Sequence, residues 1–297
     1  MPISTRVYND QAMSTLNRVT GDIQEIQSRI ATGRNILKAS DSPAVGAKIS
    51  FTKDQKVLLE RYNTNIDRSL NRMAQAESAI GTSVNVLQRV YELAVQARND
   101  TNNAGDRAAI ALEIKNLRDQ MLSLANTRDT NGQYIFAGYK VDVRPFVETE
   151  EGQIAHKGDR GVHTLQISDN QRLSTSLDGA EVFLRLRQED GVTDIFQSMD
   201  DMIASLENGQ MQDVHIDRMS VAVEHFSLQQ TKLGSEMNRA EMQRGVNDKR
   251  LLLMDEDISN LEDADLAKLV LILFRLAAIV WGTFYIKKMI REGYAKV

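Results

Sequence analysis

The sequence predicts a mainly α protein: a long coiled-coil helical bundle built from its N- and C-terminal segments, with a small antiparallel β domain inserted between them. Three observations carry that reading. An apolar ladder, Ile66, Leu70, Met73, Ile80, Val84, Leu87, Tyr91 and Ala94, recurs at alternating steps of four and three, the spacing of a coiled-coil seam with Glu77 as its one polar rung. A second set, Phe226, Leu233, Met237, Ala240, Leu251, Met254, Ile258 and Leu261, falls in one heptad frame that also holds Gln230, Arg244 and Asn247. Between the two sets, helical periodicity gives way to short β-prone runs punctuated by glycine.

A stripe of this period covers one side of a helix, so each ladder needs a partner with a matching stripe. The first helix, from about Ala12 to Ile30, has its own in Leu16, Val19, Ile23, Ile26 and Ile30, and Gly33 is its stop. Ser40-Asp41-Ser42-Pro43 reads as the next helix start, with a polar N-cap and proline where its missing N–H costs nothing. That helix should run to about Arg98 and end in the polar cluster from Asn99 to Gly105. A third, from about Asp106, carries Ile110, Ile114, Leu117, Met121 and Leu124 and should return antiparallel on the central ladder.

From Asn131 onward, Tyr134-Ile135-Phe136 and Val162 to Ile167 read as strands. A short helix is expected from Asp194 to Leu206, and the last long helix from Met211. The expected divisions are residues 1–42 (N-terminal assembly helix), 43–130 (first part of the bundle), 131–190 (β insert), 191–250 (second part of the bundle) and 251–297 (C-terminal assembly helix with an atypical apolar tail).

Composition narrows the function. The 297 residues allow roughly two domains. Aromatics make up 5% and there are three prolines, which favours long helices over an aromatic-rich core. The 41 acidic and 36 basic residues are interspersed, with no basic stripe to track a phosphate backbone, so nucleic acid is not an expected partner. The lack of cysteine removes disulfides, thiolate zinc sites and cysteine nucleophiles. Residues 1–6 show no basic and apolar regions of a cleavable signal, so the chain is either cytoplasmic or exported by a route that reads none.

Catalytic patterns are missing too. Asp255, Asp257 and Glu262 resemble a calcium loop only until its sixth position, which needs glycine and holds Asn260. The four histidines, His156, His163, His215 and His225, have no ligand spacing, and there is neither a nucleophile elbow nor a phosphate loop. The expectation is a non-enzyme without metal or cofactor. Its functional residues are then helix faces: Leu16, Val19, Ile23, Ile26, Ile30, Leu251, Met254, Ile258 and Leu261 for assembly, and Ile66, Leu70, Met73, Ile80, Val84, Leu87 and Tyr91 for the internal seam.

Particular residues carry a family resemblance. Ile3-Ser4-Thr5, the block from Thr32 to Pro43, Gly105-Asp106-Arg107 leading to Glu113-Ile114, Tyr134 to Gly138 followed by Pro145-Phe146, Gly158-Asp159, and Leu261 to Asp265 stand in the order found in the flagellin-related hook-associated proteins of bacterial flagella. The chain resembles that family over about residues 1 to 270. The resemblance implies a structural adaptor at the hook–filament junction, with terminal helices in an inner tube and the β module outside. It implies hook-associated protein 1 on the hook side, flagellin on the filament side, copies of itself and an export chaperone as partners. It also implies export through the flagellar channel to an extracellular flagellum.

Two departures from the family pattern stand out. Ser40-Asp41-Ser42 precedes the proline where the family more usually has two acidic residues. From Leu269 to Trp281 the chain is apolar almost all round, followed by Lys287, Lys288 and Arg291. The stretch from Leu269 to Ile286 is at the lower limit for crossing a bilayer, and Arg275 at its centre would cost about 2.5–3.5 kcal/mol on insertion. Three readings of this tail follow, in order: a shifted reading frame or altered terminus, a buried inner helix, and a membrane segment. Two further functional readings stand beside the junction adaptor: flagellin itself, and a membrane-tethered coiled-coil adaptor.

Overall fold

A computed structural model describes the backbone of residues 2–38, 40–99, 101–188, 191–209 and 211–294. Ala39 of the Thr32–Pro43 block, Asp100 of the polar cluster, Glu189 and Asp190 at the end of the expected insert, and residues 295–297 lie outside the described residues. In order, the elements are α1 (Pro2–Thr32), α2 (Pro43–Ala97), α3 (Ala104–Ala125), β1 (Phe146–Glu148), β2 (Ile154–His156), β3 (Thr164–Ser168), β4 (Gln171–Ser174), α4 (Gly179–Phe183), β5 (Leu186–Gln188), β6 (Gly191–Thr193), α5 (Ile195–Glu207), α6 (Asp213–Glu262) and α7 (Leu266–Tyr294). The mainly α class holds, and among the described residues the strands form three separate antiparallel pairs. The chain divides into two compact units, one of Met1–Leu58 with Lys249–Val297 and one of Leu59–Asp248.

The larger unit is built on α2 and α6, which run antiparallel. Asn63 donates to Asp248 at 2.7 Å, Asp67 pairs with Arg244 at 3.0 Å and Arg98 with Asp213 at 3.1 Å, so each step up α2 matches an equal step down α6. Ile66, Met73, Ile80, Leu87 and Ala94, every seventh residue of the ladder, are buried. The alternate rung differs from the expectation. Ser69, Ala76, Ser83, Val90 and Ala97 are buried, whereas of Leu70, Glu77, Val84 and Tyr91 only Val84 is buried, and Tyr91 is 37% exposed. Small residues let the partner helices approach, and the two serines bring no unpaired hydroxyl. Ser69 donates to the Asn65 carbonyl at 2.7 Å and Ser83 to that of Ala79 at 2.8 Å.

The face of α6 is shifted in the same way. Met219, Phe226, Leu233, Ala240 and Asn247 are buried with Ala222 and Gln229, whereas Arg244 lies on the surface with Asp67. Asn247, fully buried, donates to Asn63 at 3.0 Å and to the Ile167 carbonyl at 3.2 Å, and accepts from Gln243 at 2.8 Å. A buried amide satisfied in this way fixes register without leaving an open hydrogen bond.

The third helix opens with a reciprocal cap: Asp106 N–H donates to the Asn103 side chain and Asn103 N–H to that of Asp106, both at 3.0 Å. It packs on α5. Arg118, buried on α3, binds Asp200 of α5 at 2.6 Å, Glu148 of β1 at 3.1 Å and the Gly152 carbonyl at 3.0 Å, tying two helices to the first hairpin. Against the opposing effect of burial, Asp200 and Glu148 hold its guanidinium more firmly protonated than usual.

The β module also differs in part from the sequence reading. Tyr134-Ile135-Phe136 is not a strand but a buried turn with a single bridge between Tyr134 and Arg128. Arg72 of α2 holds it, pairing with Asp129 at 3.0 Å and donating to the Tyr134 carbonyl at 3.1 Å. The expected strand from Val162 is β3, which begins at Thr164. At the root of the module, Phe183 of α4 touches the rings of Phe136, Phe146, Phe196 and Phe226, with centroids 5.2 to 6.4 Å away. That cluster joins the module to α5 and α6 by apolar burial, with Phe183 stacked on Phe196 of α5 and edge-on to Phe226 of α6.

Candidate assembly surfaces

The smaller unit brings the two ends of the sequence together. Gly33, at φ +68°, ends α1 in the left-handed conformation that glycine adopts without strain. Its carbonyl accepts from Ala264 N–H at 2.9 Å, and Asn35 N–H donates to the Glu262 carbonyl at 2.7 Å. The Glu262 side chain, largely buried, pairs with Arg34 at 3.2 Å and with Lys53 of α2 at 3.0 Å. The N–H groups of Lys38 and Leu37 on Asp41 hold its carboxyl below the usual carboxylate range and shape the turn before Pro43. Two motif blocks more than two hundred residues apart thus form one corner.

From that corner α1 and α7 run antiparallel and pack on each other. Val19 is buried, while Leu16, Ile23, Ile26 and Ile30 are half-buried. Leu251, Met254, Ile258 and Leu261 are half-buried as well. The candidate assembly residues are therefore partly covered within the subunit. On α2 and α6 within this unit, sequence periodicity passed over more open apolar side chains that lie outside the heptads: Phe51 at 64%, Val57, Leu252 at 70% and Leu253. Charge pairing beside them is local, as between Lys56 and Asp255.

The expected C-terminal helix is two helices. Helix α6 ends at Glu262, and α7 restarts at Leu266 with the Asp265 carboxylate accepting from Lys268 N–H at 3.0 Å. Within the subunit α7 is not the buried inner helix of the second tail reading: Leu269 is buried, but Leu271, Phe274, Ile279, Trp281, Phe284 and Tyr285 are each more than half exposed. Among the described residues no cluster of His, Asp or Glu is arranged to hold a metal ion.

Residues 3–141 match the model of the bacterial flagellin N-terminal helical region. With its long antiparallel helices and paired ends, the chain resembles the flagellin-related coiled-coil proteins. Along its length it resembles flagellar hook-associated protein 3: it is 24% identical to that protein of Salmonella typhimurium over 285 residues, 89% of each chain. A flagellin of Bacillus subtilis is 27% identical over 88% of each. The fold is shared with a flagellar hook-associated protein from Vibrio parahaemolyticus, with a TM-score of 0.68 and 18% identity over 75% of this chain and 100% of that one.

Proposed function

We propose that this chain is the structural adaptor that joins the flagellar hook to the flagellin filament. What carries the reading is the resemblance to hook-associated protein 3 over nearly the full length of both proteins. Helix-in-groove packing supplies the mechanism. The stripe of α1 from Leu16 to Ile30 and that of α6 from Leu251 to Leu261 are half-covered in the lone subunit and complete their burial on neighbours. Those neighbours are hook-associated protein 1 on one side, flagellin on the other, and further copies of the chain around the axis. The paired α2 and α6 of the larger unit serve as a rigid spacer, with the β module outside. The chain reaches its place through the flagellar export route, met by a chaperone, and its role there is structural rather than catalytic.

The experiment is deletion of the coding sequence in the source bacterium. Hooks should persist without filaments while flagellin accumulates in the medium, and the intact chain supplied in trans should restore filaments. The similarity to Bacillus subtilis flagellin supports a second reading, the filament subunit itself, in which deletion removes the main flagellin from cells and medium alike. Normal filaments after deletion would overturn both.

A further inference from the structure

Within α7, the 20 residues Leu266–Tyr285 form an apolar helix long enough to cross a bilayer. At 1.5 Å per residue it measures about 30 Å, the thickness of a hydrocarbon core. Its charged residues are Lys268 in the first turn and Arg275 near the middle. Helix α1 covers one side only, leaving Leu271, Phe274 and Ile279 open, with Phe274 at 73%. A helix on the surface of a globular protein keeps a polar outer face, whereas one that is apolar all round belongs in a large core or in lipid.

Two features at its end select lipid. Trp281 and Tyr285, exposed and stacked 6.0 Å apart, sit where aromatic side chains lie at a membrane interface. Beyond them the sequence places Lys287, Lys288 and Arg291 against a single acid, Glu292, a charge pattern that suits anionic headgroups. From these observations we infer that α7 is a bilayer-binding helix, entering anionic membranes along its length while the subunit is unassembled. This stands independently of the junction reading.

Trp281 is the only tryptophan in the chain and so reports on its own surroundings. The intact protein is titrated with vesicles of mixed phosphatidylcholine and phosphatidylglycerol, with and without brominated acyl chains. Emission should shift to the blue, be quenched by the brominated lipid, and accompany flotation of the protein with the vesicles. Phe274→Glu, at an open position that does not hold the fold, should weaken binding roughly tenfold or more, and Arg275→Leu should strengthen it. No shift on vesicles, or equal binding by Phe274→Glu, overturns the inference. So does a blue shift that grows with protein concentration in the absence of lipid alongside a heavier species, because a second copy would then cover α7.

Discussion

The carboxylate and carbonyl of Asp159 occupy the space that a Cβ on Gly138 would need. Gly138 sits at φ +68°, and the Asp159 carboxylate next to it accepts from Tyr139 N–H at 2.8 Å and Gly161 N–H at 2.7 Å, while Asp159 N–H donates to the Ala137 carbonyl at 3.1 Å. Those amides hold the Asp159 carboxyl below its usual range. Two motifs separated in sequence are thus a single knot in the β module. Gly138→Ala combines a strained backbone with an overlap against main chain, and should cost about 2 kcal/mol or more, read as a lower urea midpoint.

The seam frame is tested by neighbouring residues. Val90 is fully buried and Tyr91 is 37% exposed. Val90→Asp buries a charge with no partner and should unfold the bundle, whereas Tyr91→Asp should change stability by about 0.5 kcal/mol or less. Thermal melts of the two variants check this. The reverse order would restore the frame that apolar counting suggests.

Phe183 is the hub of the ring cluster at the root of the β module. Phe183→Ala should cost about 3–5 kcal/mol. Hydrogen exchange should rise most in the hairpins, because the cluster joins them to α5 and α6.

Burial first, and then the Arg218 charge, hold the His215 imidazole below its ordinary value of 6.5, while Asp201 acts in the opposite sense. Its ring bonds Ser205 at 2.8 Å. The unfolded chain takes up a proton here at higher pH than the folded one, so this contribution is full above about pH 6.5 and is lost as pH falls towards the folded value. Asp194 and Asp200, raised by burial, protonate more readily in the folded state and offset part of the loss at the acid end. The urea midpoint should fall between roughly pH 7 and pH 5, and His215→Gln should flatten that slope.

The long helices were legible because a seven-residue repeat survives any local noise. The exact frame was not, since Ser69 and Ser83 count as polar by type although each satisfies its hydroxyl inside its own helix. The break between α6 and α7 carries no glycine or proline, and its signal was the cap at Asp265. Helix α4 was hidden behind Gly179, read as punctuation, although Asp178 accepts from Ala180 N–H at 3.0 Å as its N-cap. Tyr134 to Phe136 has strand composition, yet Arg72 and Asp129 impose a turn that no local pattern encodes. For the proposed assembly faces the apolar positions were readable, but which of those on α1 a lone subunit covers depends on the pairing of α1 with α7.

Hydrogen exchange on the isolated subunit and on the same protein mixed with hook-associated protein 1, its proposed partner, tests the central claim most directly. Amides from Leu16 to Ile30 should exchange far faster than those from Ile80 to Ala94 in the isolated chain, and should approach them in the complex. Equal protection of the two segments in the isolated chain would contradict an assembly role for α1.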